Sequence, residues 1–205
     1  EPAHMPPEGN ALSPELRGQF FDYLSKYSKN KGMTVETAYF ATGCFWGAER
    51  RFWQLDGVVE TAVGYMGGDK ENPTYKEVCT DTTGHAEIVK VVFDPARISY
   101  FRLLQEFWTM HDPTSLNKQG GDVGSQYRSA IYTTTPDQMV EAVNTRDAYE
   151  SVLLKEGYGN IVTDIQDAGA HTFWMAEEYH QRYLEKNPNG YDCHSSTGIA
   201  FPVLA

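Results

Sequence analysis

Cys44 stands in the run Gly43-Cys44-Phe45-Trp46-Gly47, between the apolar stretch Thr37-Ala38-Tyr39-Phe40-Ala41 and the helix-like segment Ala48–Leu55. A cysteine at a strand–helix joint faces unpaired N–H groups and the positive end of the helix dipole, which favour an anion there. The expected consequence is a lowered thiol pKa and a nucleophilic thiolate. The two aromatics that follow would wall the sulfur with apolar surface. They suit a substrate with a small apolar part and an electrophilic atom. The same pentapeptide also reads as a small buried hydrophobe with no chemistry at all.

Other groups could join it. Gly84-His85-Ala86-Glu87 places Glu87 at the start of an apolar strand. Set near apolar walls, its carboxyl would hold its proton and act as an acid. Taken alone it reads more readily as a solvated strand-edge glutamate. The glycine-dense loop Gln119–Ser129 offers Asp122 and Tyr127, one acid and one phenol, on backbone that can approach a ligand closely. It could equally be a plain surface connection. Asn72–Cys79 offers the Tyr75 hydroxyl, or else a core tyrosine with its OH at the edge. Cys79 lies on the apolar side of that piece and reads as structural. Cys193 has small polar neighbours, which imply an exposed, mobile thiol. An exposed cysteine plus a reactive one suits a two-cysteine redox cycle. His111 and His180 show no convincing ligand or base partner, His194 reads as a solvated tail residue, and Phe173-Trp174-Met175 reads as core packing.

Elements alternate around these groups. Residues 1–12 are rich in Pro, Gly and charge and are expected to be disordered. Ser13-Pro14 starts a helix over 13–28 within an extension ending near residue 32. Strands are expected at 36–41, 58–66, 85–93, 127–134 and 161–165, and helices at 44–55, near 75–79, at 100–111, from 136 to about 155 and at 176–186. A glycine-rich loop covers 112–126, and 33–190 forms one catalytic domain. Residues 191–205 form a mobile, irregular tail. The pattern argues for α+β: a two-layer sandwich, a mixed β-sheet packed by helices.

Composition narrows the function classes. The 205 residues suit one domain with a real core, and no apolar stretch is long enough for a membrane helix. A net charge of -11 repels phosphate backbones, so nucleic acid is not an expected partner, and the lack of a long apolar stretch argues against a membrane. Three cysteines without a Cys-x-x-Cys make neither a secreted disulfide framework nor a zinc site, so no metal is expected. A reducing, cytoplasmic setting is the default reading, with an already removed targeting peptide left open.

Several motifs in one order then resemble a known family. They are Gly43–Gly47, Gly64-Tyr65 with Gly67-Gly68, Asn72–Tyr75, Gly84–Glu87, His111-Asp112-Pro113, Gln126–Tyr132, and His180-Gln181 through Asn187–Tyr191. Together they resemble methionine sulfoxide reductase A, the peptide-methionine (S)-S-oxide reductases, from about Thr37 to Tyr191. The resemblance implies a ferredoxin-like core and a cofactor-free enzyme that returns methionine-(S)-sulfoxide, free or in proteins, to methionine. It implies Cys44 as the nucleophile on the sulfoxide sulfur, with Phe45 and Trp46 cradling the ε-methyl group. Protonated Glu87 is the implied proton donor to the sulfoxide oxygen, with Tyr75 and Tyr127 as further donors. Asp122 would engage substrate or the local network. Cys193 would condense with the Cys44 sulfenic acid to a disulfide, and thioredoxin or another dithiol would reduce it. A monomer is expected.

Departures are visible too. Asp192 stands between Gly190-Tyr191 and Cys193, where family members often place the cysteine directly. No second tail cysteine follows, and the loop reads Gly120-Gly121-Asp122-Val123 instead of Gly-Asn-Asp-His. Competing readings are a cysteine peroxidase or sulfenic-acid redox sensor, a Cys–His hydrolase using His85 or His180, and a binding module without chemistry.

Overall fold

The computed structural model describes residues 34–192 and 195–203. The expected disordered segment 1–12, the helix at 13–28, His194 and Cys193 itself lie outside the described residues. In chain order the elements are β1 (Glu36–Thr42), α1 (Phe45–Trp53), β2 (Val58–Met66), α2 (Tyr75–Val78), β3 (Ala86–Phe93), α3 (Tyr100–Met110), β4 (Lys118–Gln119), β5 (Asp122–Val123), β6 (Ser129–Thr133), α4 (Pro136–Lys155), β7 (Asp164–Asp167), β8 (Trp174–Met175) and α5 (Tyr183–Lys186).

Six strands form one sheet in the order β7-β6-β1-β3-β2-β8. Every neighbouring pair is antiparallel except β6–β7, so the sheet is mixed. Residues two apart on a strand share a face. One face carries Phe40, Val63, Tyr65, Val89, Val91, Phe93 and Ile131 and packs with Phe52, Leu103, Leu104, Phe107 and Trp108 of the helices. The other carries Ala41, Met66, Ala86, Ile88, Ala130 and Tyr132 and meets Tyr39, Ala168 and Phe173. The result is the α+β arrangement that the alternating elements argue for.

Local chemistry sets the helix starts. Ser99 Oγ accepts the Arg102 N–H at 3.1 Å, and Thr135 Oγ1 accepts that of Gln138 at 3.1 Å ahead of Pro136. Thr74 and Glu77 cap α2 reciprocally, at 3.3 and 2.9 Å.

Three segments differ from expectation. The last sheet strand before β8 is Asp164–Asp167, about three residues later than 161–165. The loop 112–126 contains its own hairpin, β4 with β5. Most of 176–186 is not helix. Only Tyr183–Lys186 is, and Arg182 before it has φ +51°. Its backbone N–H donates to the buried carboxylate of Glu49 at 2.9 Å, so a tertiary bond overrides local helix propensity.

Candidate active site

Cys44 caps the N-terminus of α1, with φ −53° and ψ 123°. Gly43 delivers it there. Its φ of +97° suits glycine, and a Cβ would lie 2.7 Å from Gln119 Cβ. The thiol thus sits at the positive end of the helix and is 8% exposed, buried yet reachable at its edge.

Strand alternation decides the state of Glu87. It shares its face with Val89, Val91 and Phe93, so it points under the helices and is only 2% exposed. It is enclosed, and not the solvated strand-edge carboxylate that the residue taken alone suggests. Burial, with a smaller contribution from nearby Asp122, pushes its pKa up to about 8. The backbone N–H of Phe45 opposes this by donating to Oε2 at 3.0 Å. That bond also ties the acid to the residue beside the nucleophile.

Phe45 and Trp46 form the apolar wall. The Phe45 ring lies 5.9 Å from Tyr65 and 5.1 Å from His180, centroid to centroid. Trp46 stacks on Tyr183 at 3.8 Å and donates its Nε1–H to His180 Nδ1 at 3.0 Å. Tyr75 opens α2, where its N–H donates to Glu177 at 2.8 Å and its ring lies 4.5 Å from His180. Glu177 also accepts the Tyr65 hydroxyl at 2.9 Å. Tyr75 and Tyr127 are half-buried, and desolvation holds both phenols far above their ordinary pKa. Glu87 acts on both in the same direction, and Asp122 and Cys44 act on Tyr127. Both phenols therefore remain donors. Asp122 accepts the Tyr191 hydroxyl at 3.4 Å through Oδ1, while its buried Oδ2 has no hydrogen-bond partner.

The remaining candidates sort by position. Cys79 is exposed, contrary to its expected place on the apolar side, and hydrogen-bonds the Tyr75 side chain. His85 accepts the Gly68 N–H at 3.1 Å and donates to Lys70 O at 2.7 Å, so both ring nitrogens serve the loop. Burial drives the His180 pKa down to about 3, which leaves it neutral. Neither is placed as the base of a Cys–His hydrolase. His180 is nevertheless the residue that sequence reasoning passed over, because its partner Trp46 is 134 positions away. The tail flanks the site as well. Asp192 pairs with Arg50 of α1, and Ser195 lies 3.3 Å from where a Gly120 Cβ would be. Thr197 accepts at its carbonyl from the Tyr158 hydroxyl at 3.1 Å, and Phe201 stacks on Tyr149 at 5.6 Å. No group of side chains fit to hold a metal occurs among the described residues.

This arrangement sets a reachable thiol beside a protonated carboxyl, two phenol donors and aromatic walls. It can attack an electrophile at one end and protonate an oxygen at the other. Comparison with known proteins agrees. The family model described as Peptide methionine sulfoxide reductase matches residues 36–201. The MsrA of Rhodospirillum centenum is 56% identical over 169 residues, 82% of this chain and 76% of that protein. The human mitochondrial peptide methionine sulfoxide reductase is 50% identical over 186 residues, 87% of this chain and 78% of that protein. The solved methionine sulfoxide reductase A of Corynebacterium diphtheriae is 46% identical, with a TM-score of 0.75 over 82% of this chain and 84% of that one. On these grounds the chain belongs to the peptide methionine sulfoxide reductase family.

Proposed function

We propose that this chain reduces methionine-(S)-sulfoxide, free or in oxidised proteins, with Cys44 as nucleophile and Glu87 as acid. The observation that carries the assignment is the buried Glu87 carboxyl, kept protonated near pH 7 and bonded to the N–H that follows Cys44. A sulfoxide oxygen leaves only once protonated, so the site needs a thiolate and a neutral acid together. Cys44 Sγ attacks the sulfoxide sulfur while Glu87 passes its proton to the oxygen. Tyr75 and Tyr127 donate hydrogen bonds to that oxygen as its charge grows. Phe45 and Trp46 enclose the methyl group, and the free Oδ2 of Asp122 accepts from the substrate or from water. The bond from Sγ to the substrate sulfur then breaks as the protonated oxygen passes from that sulfur to Sγ, so Cys44 becomes a sulfenic acid and methionine is released with its sulfur reduced by two electrons.

Cys193 then attacks the Cys44 sulfenic acid and a water leaves, which forms a disulfide. Its neighbours support that role. Tyr191 and Asp192 are tied to Asp122 and Arg50, and only two residues separate Asp192 from Ser195 beside Gly120. An external dithiol, thioredoxin or its like, restores both thiols by exchange. We place the enzyme in a reducing compartment such as the cytoplasm, acting as a monomer.

A single-turnover assay without reductant tests the reading, using separated S and R epimers of N-acetyl-methionine sulfoxide. About one methionine per enzyme from S alone, with two thiols lost, is expected from a two-thiol cycle. Turnover of R, or of neither, refutes it. Rapid consumption of peroxide instead of sulfoxide would favour the peroxidase.

A further inference from the structure

The β4–β5 hairpin turns two unlike faces in opposite directions. Gln119 stands opposite Asp122 at its closed end, and Lys118 opposite Val123. Successive side chains of a strand point to opposite faces. On the inner face Gln119 is 1% exposed, fills the space where a Gly43 Cβ would lie, and bonds the Asp112 N–H and carbonyl at 3.1 and 2.7 Å. Asp122 shares that face and acts on Glu87 and Tyr127 inside the site. On the outer face Val123 is 70% exposed, and Leu116, just ahead of the hairpin, is 69%. Among the described large apolar side chains only Val203, near the C-terminus, is more open. The loop carries Val123 where the resemblance leads to histidine, so this apolarity is the chain's own.

The backbone of the hairpin is open in the same place. Alternate pairs of an antiparallel ladder exchange no hydrogen bonds, and their N–H and carbonyl groups point away from the partner strand. The 119–122 pair closes the turn, and the Gly124 N–H donates to the Asn117 carbonyl at 2.9 Å. Val123 falls between these bonded pairs. Its N–H and carbonyl therefore face outward, at the edge of a two-stranded sheet. Leu116 lies one diagonal step across the ladder, so a single side chain can touch both apolar residues.

We infer that Leu116, Val123 and the outward backbone of Val123 bind the stretch of oxidised polypeptide that flanks the methionine sulfoxide, in extended form and with an apolar side chain against the hairpin. The inference rests on reading the site as a sulfoxide reductase. An extended polypeptide matches both features, since its backbone pairs with a strand edge and its side chains cover apolar surface. Free methionine sulfoxide has no neighbouring residue to offer. Asp122 belongs to the site and Val123 follows it directly, so the covered side chain stands within about two residues of the sulfoxide, at ~3.3 Å per extended residue.

The test compares kcat/KM for the S-sulfoxides of N-acetyl-methionine and of two blocked heptapeptides. One peptide flanks the sulfoxide with three serines on each side, the other with two leucines and an outer serine. The unsubstituted enzyme should prefer the leucine peptide about fivefold, part of the roughly tenfold or more that full burial of a leucine yields. Leu116→Ser with Val123→Ser should erase that preference and leave N-acetyl-methionine sulfoxide unaffected. Val123→Thr keeps the β-branched shape, should lower the preference, and serves if the double variant does not fold. N-methylation of the amides beside the sulfoxide should cost the leucine peptide its advantage, because the Val123 carbonyl loses its donor; an advantage that survives would overturn the strand pairing. No leucine preference in the unsubstituted enzyme, or one that persists in every folded variant, would overturn the inference. A double variant that keeps the preference but loses recycling by thioredoxin, or loses a dimer, would overturn it too, by giving the face to those partners. Failure of the unsubstituted protein to reduce N-acetyl-methionine sulfoxide would instead refute the reading of the site.

Discussion

Replacing Glu87 by Gln separates hydrogen bonding from proton supply. The amide oxygen can still accept the Phe45 N–H that Oε2 accepts at 3.0 Å, so the site keeps its shape. What disappears is the acid. With a pKa of about 8, Glu87 is protonated over ionised by about 10:1 at pH 7, and the ratio inverts at pH 9. The single-turnover rate of the unsubstituted enzyme should therefore fall about tenfold per pH unit above 8. Glu87→Gln should be slower by ~10²–10⁴ at pH 7, the usual contribution of a positioned acid, and should lack that alkaline limb. Stability moves the other way. The folded carboxyl binds its proton more tightly than the unfolded one, so stability drops as pH rises from about 4.5 through about 8. Gln carries no such loss and should be the more stable form at pH 9, by at most about 5 kcal/mol. Quenched-flow methionine release across pH 6–10 and urea unfolding at pH 6 and 9 read both effects. An unchanged rate at pH 7, or an alkaline limb surviving in the variant, would refute the assignment of Glu87 as acid.

Cys193→Ser should still release about one methionine per enzyme yet stop turning over with thioredoxin, and normal recycling would remove Cys193 from the cycle. Glu49 is buried, with its pKa raised to about 7, so its ionisation lowers stability as pH climbs from about 4.5 to about 7. Glu49→Gln should flatten that slope by about 3 kcal/mol between pH 4.5 and 8 in urea titrations, and identical slopes would show that its carboxylate is not penalised. Gly43→Ala forces a methyl to 2.7 Å from Gln119 at a φ of +97°. It should cost about 1–3 kcal/mol of stability and displace Cys44. Normal stability with normal single-turnover rate would mean the joint tolerates the shift.

Much of this was legible before the structure. The strand–helix joint announces itself through apolar residues before Gly43 and helix formers after Gly47, and Cys44 stands there as expected. Taken alone, Glu87 yields to a general expectation about charged residues, and only the family resemblance reverses that reading. Its alternation with Val89, Val91 and Phe93 is the signal that predicts its burial. The segment 176–186 misleads because Ala176, His180, Tyr183 and Leu184 recur at helical spacing, yet His180 and Arg182 answer to Trp46 and Glu49 on α1. Such long-range bonds leave no local trace. Cys79 misleads for a related reason, since four residues of α2 are too few for periodicity to identify a face.

The antiparallel pairing of β1 and β3 has a consequence for how the enzyme fails. The register that joins Phe40 to Val89 sets the end of β1 beside the start of β3, so nucleophile and acid issue from adjoining central strands. Neither rides on a lid that could lift away by itself. In amide exchange, the Phe45 N–H should open only with the whole domain, not in a local fluctuation. As denaturant rises, the chemical step should then survive until the cooperative transition and vanish with it, leaving no population that is folded at its centre but chemically inert.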